Sequence, residues 1–167
     1  KQDLKLLGMD QPDPLYHHKE VLDDCWSVLE IAGVSLVDMH TWEWMYDNPD
    51  ATPAQLREAV TRIAHEVWNE FFAPVFGIDD EPILAVYSHM ISNPLYLSNY
   101  AVGSLIQFQV EQYLEDKDFA SEVQRIFSLG RLTPQEWMKQ AVGSEISAEP
   151  MLAAARKALD ALQQANN

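Results

Sequence analysis

The stretch Tyr87–Gln109, YSHMISNPLYLSNYAVGSLIQFQ, decides the reading of the whole chain. It opens on an isolated His89 and passes through Asn93-Pro94. Asparagine is a good N-cap and proline suits the first helical position, so the spacing predicts a helix starting at Pro94. From there to Glu115 only Gly103 interrupts a run of helix-compatible residues. At 1.5 Å per residue the expected rod is roughly 34 Å long, about the width of a small domain. Leu97, Val102, Leu105, Ile106 and Phe108 spread apolar surface around it, which predicts a long, buried central helix. Tyr96 and Tyr100 stand four apart and so project from one face. With Gln107 and Gln109 they form a polar strip that a buried helix has to account for.

The remainder of the chain reads as further helices. From Pro14 to Tyr46 apolar residues recur at spacings of three and four: Leu22, Cys25, Trp26, Leu29, Gly33, Leu36, Val37, His40 and Trp44. Val28, Ile31 and Val34 supply a second apolar face, and Asn48-Pro49-Asp50 ends the element. Thr52-Pro53-Ala54-Gln55 is a capping box, and the helix it opens is expected to run to Phe72 with Leu56, Val60, Ile63, Val67 and Phe71 inward. Pro74 and Gly77 close it, a solvated acidic loop over Asp79, Asp80 and Glu81 follows, and Pro82 starts a short helix toward His89. Beyond the polar turn at Glu115–Asp118, three more helices are expected: Phe119–Leu129, one capped by Thr133, and one from Ser147 to Ala165. No alternating run of β-branched residues occurs. The expectation is an all-α, multi-helix array forming a single helical domain over residues 1–167.

Composition narrows the function classes. The chain has 167 residues, 47% of them hydrophobic, which is enough to bury a core. A formal net charge of −15 argues against nucleic acid and against anionic membrane surfaces as partners. Cys25 is the only cysteine, reads as a buried inert thiol, and does not decide between cytoplasm and periplasm. The opening KQDLKLLGM lacks an initiator Met and looks helical, so a fragment of something longer is expected. No signal peptide or transmembrane run is present in it.

Little in the sequence carries chemistry by itself. There is no phosphate loop, GxSxG elbow or Cys-x-x-Cys pair. His65-Glu66-Val67-Trp68-Asn69 has the start of HExxH, but Asn69 occupies the position of the second histidine. A zincin needs both imidazoles at i and i+4 on one helical face, so no metal residues are assigned. His17 and His18 read as solvated, and His40 as a satisfied or partly buried side chain. His89, Tyr96 and Tyr100 remain, and the residues alone allow two readings. They are either a hydrogen-bonded group inside a helical core or a functional wall.

The run His89-Met90-Ile91-Ser92-Asn93-Pro94-Leu95-Tyr96-Leu97-Ser98-Asn99-Tyr100-Ala101-Val102-Gly103 resembles the C-terminal segment of zinc metallopeptidases of the oligoendopeptidase F and thimet oligopeptidase group. Leu105-Ile106-Gln107-Phe108-Gln109 also looks like angiotensin-converting enzyme, a relative with the same helical fold. Leu36–Trp44, Leu129–Trp137 and Ser147–Leu162 resemble the flanking helices of those enzymes, in the same order, so the likeness runs from about Pro14 to Leu162. Ser98 stands where many members carry another aromatic.

The resemblance implies the C-terminal part of a gluzincin-type metallopeptidase fold. In these families HExxH and a downstream Glu hold zinc, N-terminal to the region matched here. It implies that the intact protein is a zinc metalloendopeptidase hydrolysing peptide bonds in short peptides, with zinc as its cofactor. The partners implied are the peptide substrate and the N-terminal zinc-bearing part of the same protein. The fragment alone is expected to be inactive and to hold no zinc, and its uncovered apolar surface is expected to allow self-association. Residue by residue, Tyr100 falls at the transition-state-stabilising tyrosine and His89 at a residue assisting it or holding the substrate backbone. Tyr96 is implied as substrate-binding. A second function class stays open beside this one: a non-catalytic helical binding or scaffold domain.

Overall fold

The computed structural model describes residues 13–165, and every described element is helical, with no strand among them. The elements are α1 (Tyr16–Asp47), α2 (Pro53–Val67), a π-helical turn (Trp68–Phe72) and α3 (Ala73–Phe76). A 3₁₀ turn (Ile83–Ala85) and α4 (His89–Ser92) precede α5 (Ser98–Leu114), α6 (Phe119–Phe127), α7 (Pro134–Ala141) and α8 (Glu149–Ala165). None of the described helices is long and apolar enough to cross a membrane. The expected helix KQDLKLLGM lies outside the described residues.

The described chain divides into two compact units, one made of residues 28–103 and the other of the flanking segments up to 27 and from 104. In the first unit α1, α2, the π-turn and the segment leading into α5 enclose one apolar core. It contains Val34, Val37, Ile63, Ala64, Val67, Trp68, Phe72, Leu84 and Leu97. α2 starts where expected. The Thr52 hydroxyl accepts the Gln55 amide at 3.4 Å, and the Gln55 carbonyl oxygen accepts the Thr52 amide at 2.9 Å. α1 ends as expected too, with the Asn48 amide donating to the Trp44 carbonyl at 2.8 Å.

The inward face of the second helix departs from the 3.6-residue expectation. Phe71 is exposed and Phe72 is buried. The cause is the π-turn: the Ala73 amide donates to the Trp68 carbonyl five residues back, which inserts one residue into the ladder. Every later inward position moves on by one, so Phe72 takes the place predicted for Phe71. The Phe72 ring then stacks on Trp68 at 5.3 Å, and Trp68 stacks on Phe76 at 5.5 Å. The Trp68 indole donates to the Ile78 carbonyl at 2.7 Å, tying down the chain after Gly77.

The second unit has a smaller core of Val21, Phe108 and Ala158, with Leu22, Cys25, Met151 and Ala154 against it. Gln109, read from sequence as part of a polar strip, is buried and has a structural task. Its amide nitrogen donates to the Ser144 hydroxyl at 3.2 Å and the Glu145 carbonyl at 2.9 Å. Its carbonyl oxygen accepts the Ser147 amide at 2.7 Å, which holds the loop that opens α8. Arg125 plays the equivalent part at the end of α7, donating to the Gln140 and Ala141 carbonyls at 3.0 and 2.6 Å while pairing with Glu122.

The helix expected to run from Pro94 needs correcting in both start and burial. It begins at Ser98, and only Phe108 and Gln109 within it are buried. Asn93 ends α4 rather than opening α5: its amide donates back to the His89 carbonyl at 2.8 Å. Leu95 has φ of 61°, a left-handed conformation that no helix can include. On α1 the expected Val28, Gly33, Val34 and Val37 are buried, while part of the pattern differs. Trp26, Leu29 and His40 are exposed, whereas Val21, Ser35 and Asp38 are buried.

Two glycines separate packing from propensity. A Cβ at Gly33 would lie 2.5 Å from Cζ of the buried Phe72 ring, while a Cβ at Gly103 meets nothing within 4 Å. Alanine gains about 0.5–1 kcal/mol over glycine inside a helix, but overpacking a core costs about 1–3 kcal/mol. Gly33→Ala is therefore expected to lower the thermal midpoint by several degrees, and Gly103→Ala to raise it slightly. Paired thermal melts check both signs.

Candidate functional site

The three residues singled out by sequence all lie on the short stretch between α4 and the first turn of α5. Tyr96 and Tyr100 do meet. Their ring centroids are 5.5 Å apart at 86°, edge to face. They are not core residues: Tyr96 is 49% exposed and Tyr100 48%. Neither phenol hydroxyl hydrogen-bonds to another described residue. The reading in which these tyrosines are hydrogen-bonded inside a helical core is thereby overturned. A pair of phenols on the surface with free hydroxyls can donate to an incoming carbonyl oxygen or accept from an amide.

His89 opens α4 and is half-buried, and its ring lies 5.7 Å from that of Tyr87. Among the described residues it makes no hydrogen bond or ring contact with the tyrosine pair. Its link to the pair is through the chain: α4 leads into the Asn93–Tyr96 turn.

That turn is built from two anchors. Leu97, completely buried, inserts into the apolar core. The Leu95 amide donates to Oδ2 of Asp38 on α1 at 2.7 Å. Asn93 and Tyr96 close the turn through the Tyr96 amide and Asn93 carbonyl at 3.2 Å. Pro94 supplies a fixed φ at its second position, and Leu95 takes the positive φ usually left to glycine or asparagine. Tyr96, set between the two anchored residues, is thrown outward, and Tyr100 follows one helical turn later.

Asp38 is the residue that sequence reasoning passed over. It is 1% exposed, and its second carboxylate oxygen, Oδ1, has no hydrogen-bond partner among the described residues. Burial pushes its pKa above the ordinary carboxylate value, while the Leu95 amide and the nearby Trp42 side chain pull it back down. One turn on, the buried Thr41 hydroxyl is also unpartnered. The signal was present in the string Val34-Ser35-Leu36-Val37-Asp38-Met39, where a lone acid interrupts an apolar helical run.

Asn69, at the end of the HExx-Asn stretch, is engaged by the acidic loop. Both ends of the Asn69 amide are engaged by Asp80: its nitrogen donates to Asp80 Oδ1 at 2.7 Å, and its oxygen accepts the Asp80 amide at 2.8 Å. Asp80 sits at φ of 57°, so Asn69 pins a left-handed residue of the acidic loop. The Asn69 carboxamide is thus engaged at both its nitrogen and its oxygen in holding this loop. Among the described residues no three His, Cys, Asp or Glu side chains converge as a metal site. His40, expected to be satisfied, pairs through Nδ1 with Glu43 at 2.9 Å on the surface.

Asp38 leaves a signature in the pH dependence of stability. Its raised native pKa means that the folded chain holds this proton more tightly than the unfolded chain does. Its contribution is complete below the unfolded-state pKa and is lost as pH rises through the native one. Asp13, Asp118 and Glu122, whose pKa values are lowered by hydrogen bonds to Lys19, Ser121 and Arg125, act in the opposite direction. The difference between wild type and Asp38→Asn isolates the one group. Wild-type stability should fall relative to the variant as pH rises above the ordinary aspartate range, as followed by thermal melts across an acid pH series.

No protein-family model matches the chain, and no curated protein or solved structure matches it.

Proposed function

We propose that the chain is the C-terminal helical part of a zinc-dependent oligopeptidase and lines its substrate cleft. The observation that carries this reading is the Tyr96–Tyr100 pair, half-exposed, in edge contact, with neither hydroxyl hydrogen-bonded among the described residues. The ordered resemblance of the surrounding segments to oligoendopeptidase-type enzymes supports it, as does the wholly helical structure of the described residues. In this reading the metal is held by another part of the same protein, as the resemblance implies, since HExxH and its downstream Glu lie N-terminal to the region matched. Tyr100 donates its phenol hydrogen to the oxyanion that forms when a peptide carbonyl is attacked, and Tyr96 contacts the substrate beside it. His89 steadies the substrate backbone near the entry to the turn.

Several large apolar side chains between residues 71 and 100 support a missing partner surface. Val75, Ile83, Val86 and Ile91 are 69%, 57%, 75% and 88% exposed. Residues of this kind are left bare when a neighbouring part of the same protein is absent. The isolated chain is expected to be inactive on peptides and to self-associate through this surface at high concentration. Sedimentation velocity over a concentration series checks this; a strictly monomeric species throughout would count against it.

The decisive test begins with the encoding gene. The proposal requires an upstream HExxH and a Glu on a following helix, and a gene lacking them leaves the non-catalytic helical binding domain in its place. In the intact protein, Tyr100→Phe removes one donor and is expected to lower kcat by roughly 10²–10³. KM should change little, because the contact is absent from the ground state. Since the hydroxyl has no hydrogen-bond partner among the described residues, the same substitution should leave thermal stability within about 0.5 kcal/mol. Unchanged kcat on a verified peptidase would remove Tyr100 from the mechanism.

A further inference from the structure

We propose that Asp38 is the positioning residue for the Tyr96–Tyr100 pair, acting through the left-handed conformation it imposes on Leu95. The proposal deepens the cleft reading above, but the geometry stands apart from any activity. Three observations converge. Leu95 adopts φ of 61° although it is neither glycine nor asparagine, and its side chain is 44% exposed. Its own burial therefore does not hold it in a conformation that L-residues with a Cβ avoid. The one bond that holds its amide reaches across to Asp38 Oδ2, 57 residues earlier, at 2.7 Å. Apart from the nearby Trp42 side chain, Asp38 has no second tie among the described residues: its Oδ1 is buried without a hydrogen-bond partner and no ion pair there includes it.

A buried carboxylate is costly, and a short bond from a backbone amide to an anion is the kind of contact that offsets part of that cost. Here the contact bends the chain. With Leu95 left-handed and Leu97 fixed in the core, the peptide between them has one course, and Tyr96 leaves it toward solvent. α5 then starts at Ser98, and Tyr100 arrives beside Tyr96 with its ring edge-on. Were Leu95 to relax into the right-handed region, α5 would extend back toward Pro94, as its sequence favours. Tyr96 would then ride on a helix rather than on a turn, and the phenols would take a different mutual geometry.

The test uses the whole 167-residue chain in solution NMR, reading Leu95 amide exchange and the inter-ring NOEs between Tyr96 and Tyr100. Asp38→Leu removes the acceptor while keeping an apolar fit. It should speed Leu95 amide exchange roughly 10- to 100-fold and abolish the inter-ring NOEs, while contacts among Val34, Ile63 and Leu97 persist. Adding Leu95→Gly supplies a residue that adopts positive φ without strain, so the double variant should recover the inter-ring NOEs. A role confined to core packing would not be rescued by a glycine at position 95. Asp38→Asn keeps shape and an acceptor oxygen, and should retain the ring contact with Leu95 exchange about fivefold faster or more. That variant carries the test if Asp38→Leu does not fold. Persistence of the inter-ring NOEs in Asp38→Leu, failure of the glycine rescue, or unchanged Leu95 exchange in Asp38→Asn would each overturn the proposal. None of these readouts involves peptide hydrolysis, so they stand or fall separately from the peptidase reading.

Discussion

The hydrogen bond from the Leu95 amide to the Asp38 carboxylate is the constraint on which the candidate site depends. It joins the last third of the longest described helix to the four-residue turn Asn93–Tyr96, which would otherwise continue as helix. Everything downstream in that unit follows from where the turn releases the chain: the seating of Leu97, the start of α5 at Ser98, and the outward course of Tyr96 and Tyr100. A contact of this kind stabilises little in net terms, because the desolvation of the carboxylate opposes it. Its value is directional. A buried carboxylate with one backbone partner is satisfied in one course of that backbone and exposed to a large penalty in others.

The π-turn works by similar means at the other side of the same core. One extra residue in the ladder rotates the helix by about 100° relative to the unbroken 3.6-residue period. That rotation brings Phe72 rather than Phe71 against Gly33, where the absence of a Cβ lets the ring approach α1. The stack of Trp68 on Phe72 and Phe76, and the indole bond to the Ile78 carbonyl, hold the inserted residue in place. The unit thus contains two local departures from regular helix, and each is held by a specific long-range partner.

The polar residues divide by what they satisfy. Gln109, Arg125 and Asn69 each answer backbone groups: the loop before α8, the last carbonyls of α7, and a left-handed Asp80. Once these are assigned, their chemistry is spent on structure. Tyr96 and Tyr100 stand out by contrast, since their hydroxyls answer nothing within the described chain. That contrast, more than their spacing in sequence, is what makes them candidates for contact with a ligand.

The helical class and most element ends were legible in the sequence, because capping boxes, prolines at first turns and glycines after last turns act locally. Thr52, Thr133, Asp118 and Gly77 do in the structure what their types and neighbours imply. The i to i+4 meeting of Tyr96 and Tyr100 was legible as well, although the backbone between them is not one helix. Tertiary structure decided the start of α5, the choice of Phe72 over Phe71, and the exposure of the tyrosine pair. In each case the local preference was real and a distant group outweighed it. Asn93-Pro94 is a sound helix opening until a carboxylate on α1 takes the amide of Leu95. A 3.6-residue period points Phe71 inward until an inserted residue turns the ladder toward Gly33. Sequence periodicity reports the average rise and turn of a helix. It carries no information about a buried acceptor 57 residues away, and that acceptor set the geometry of the site.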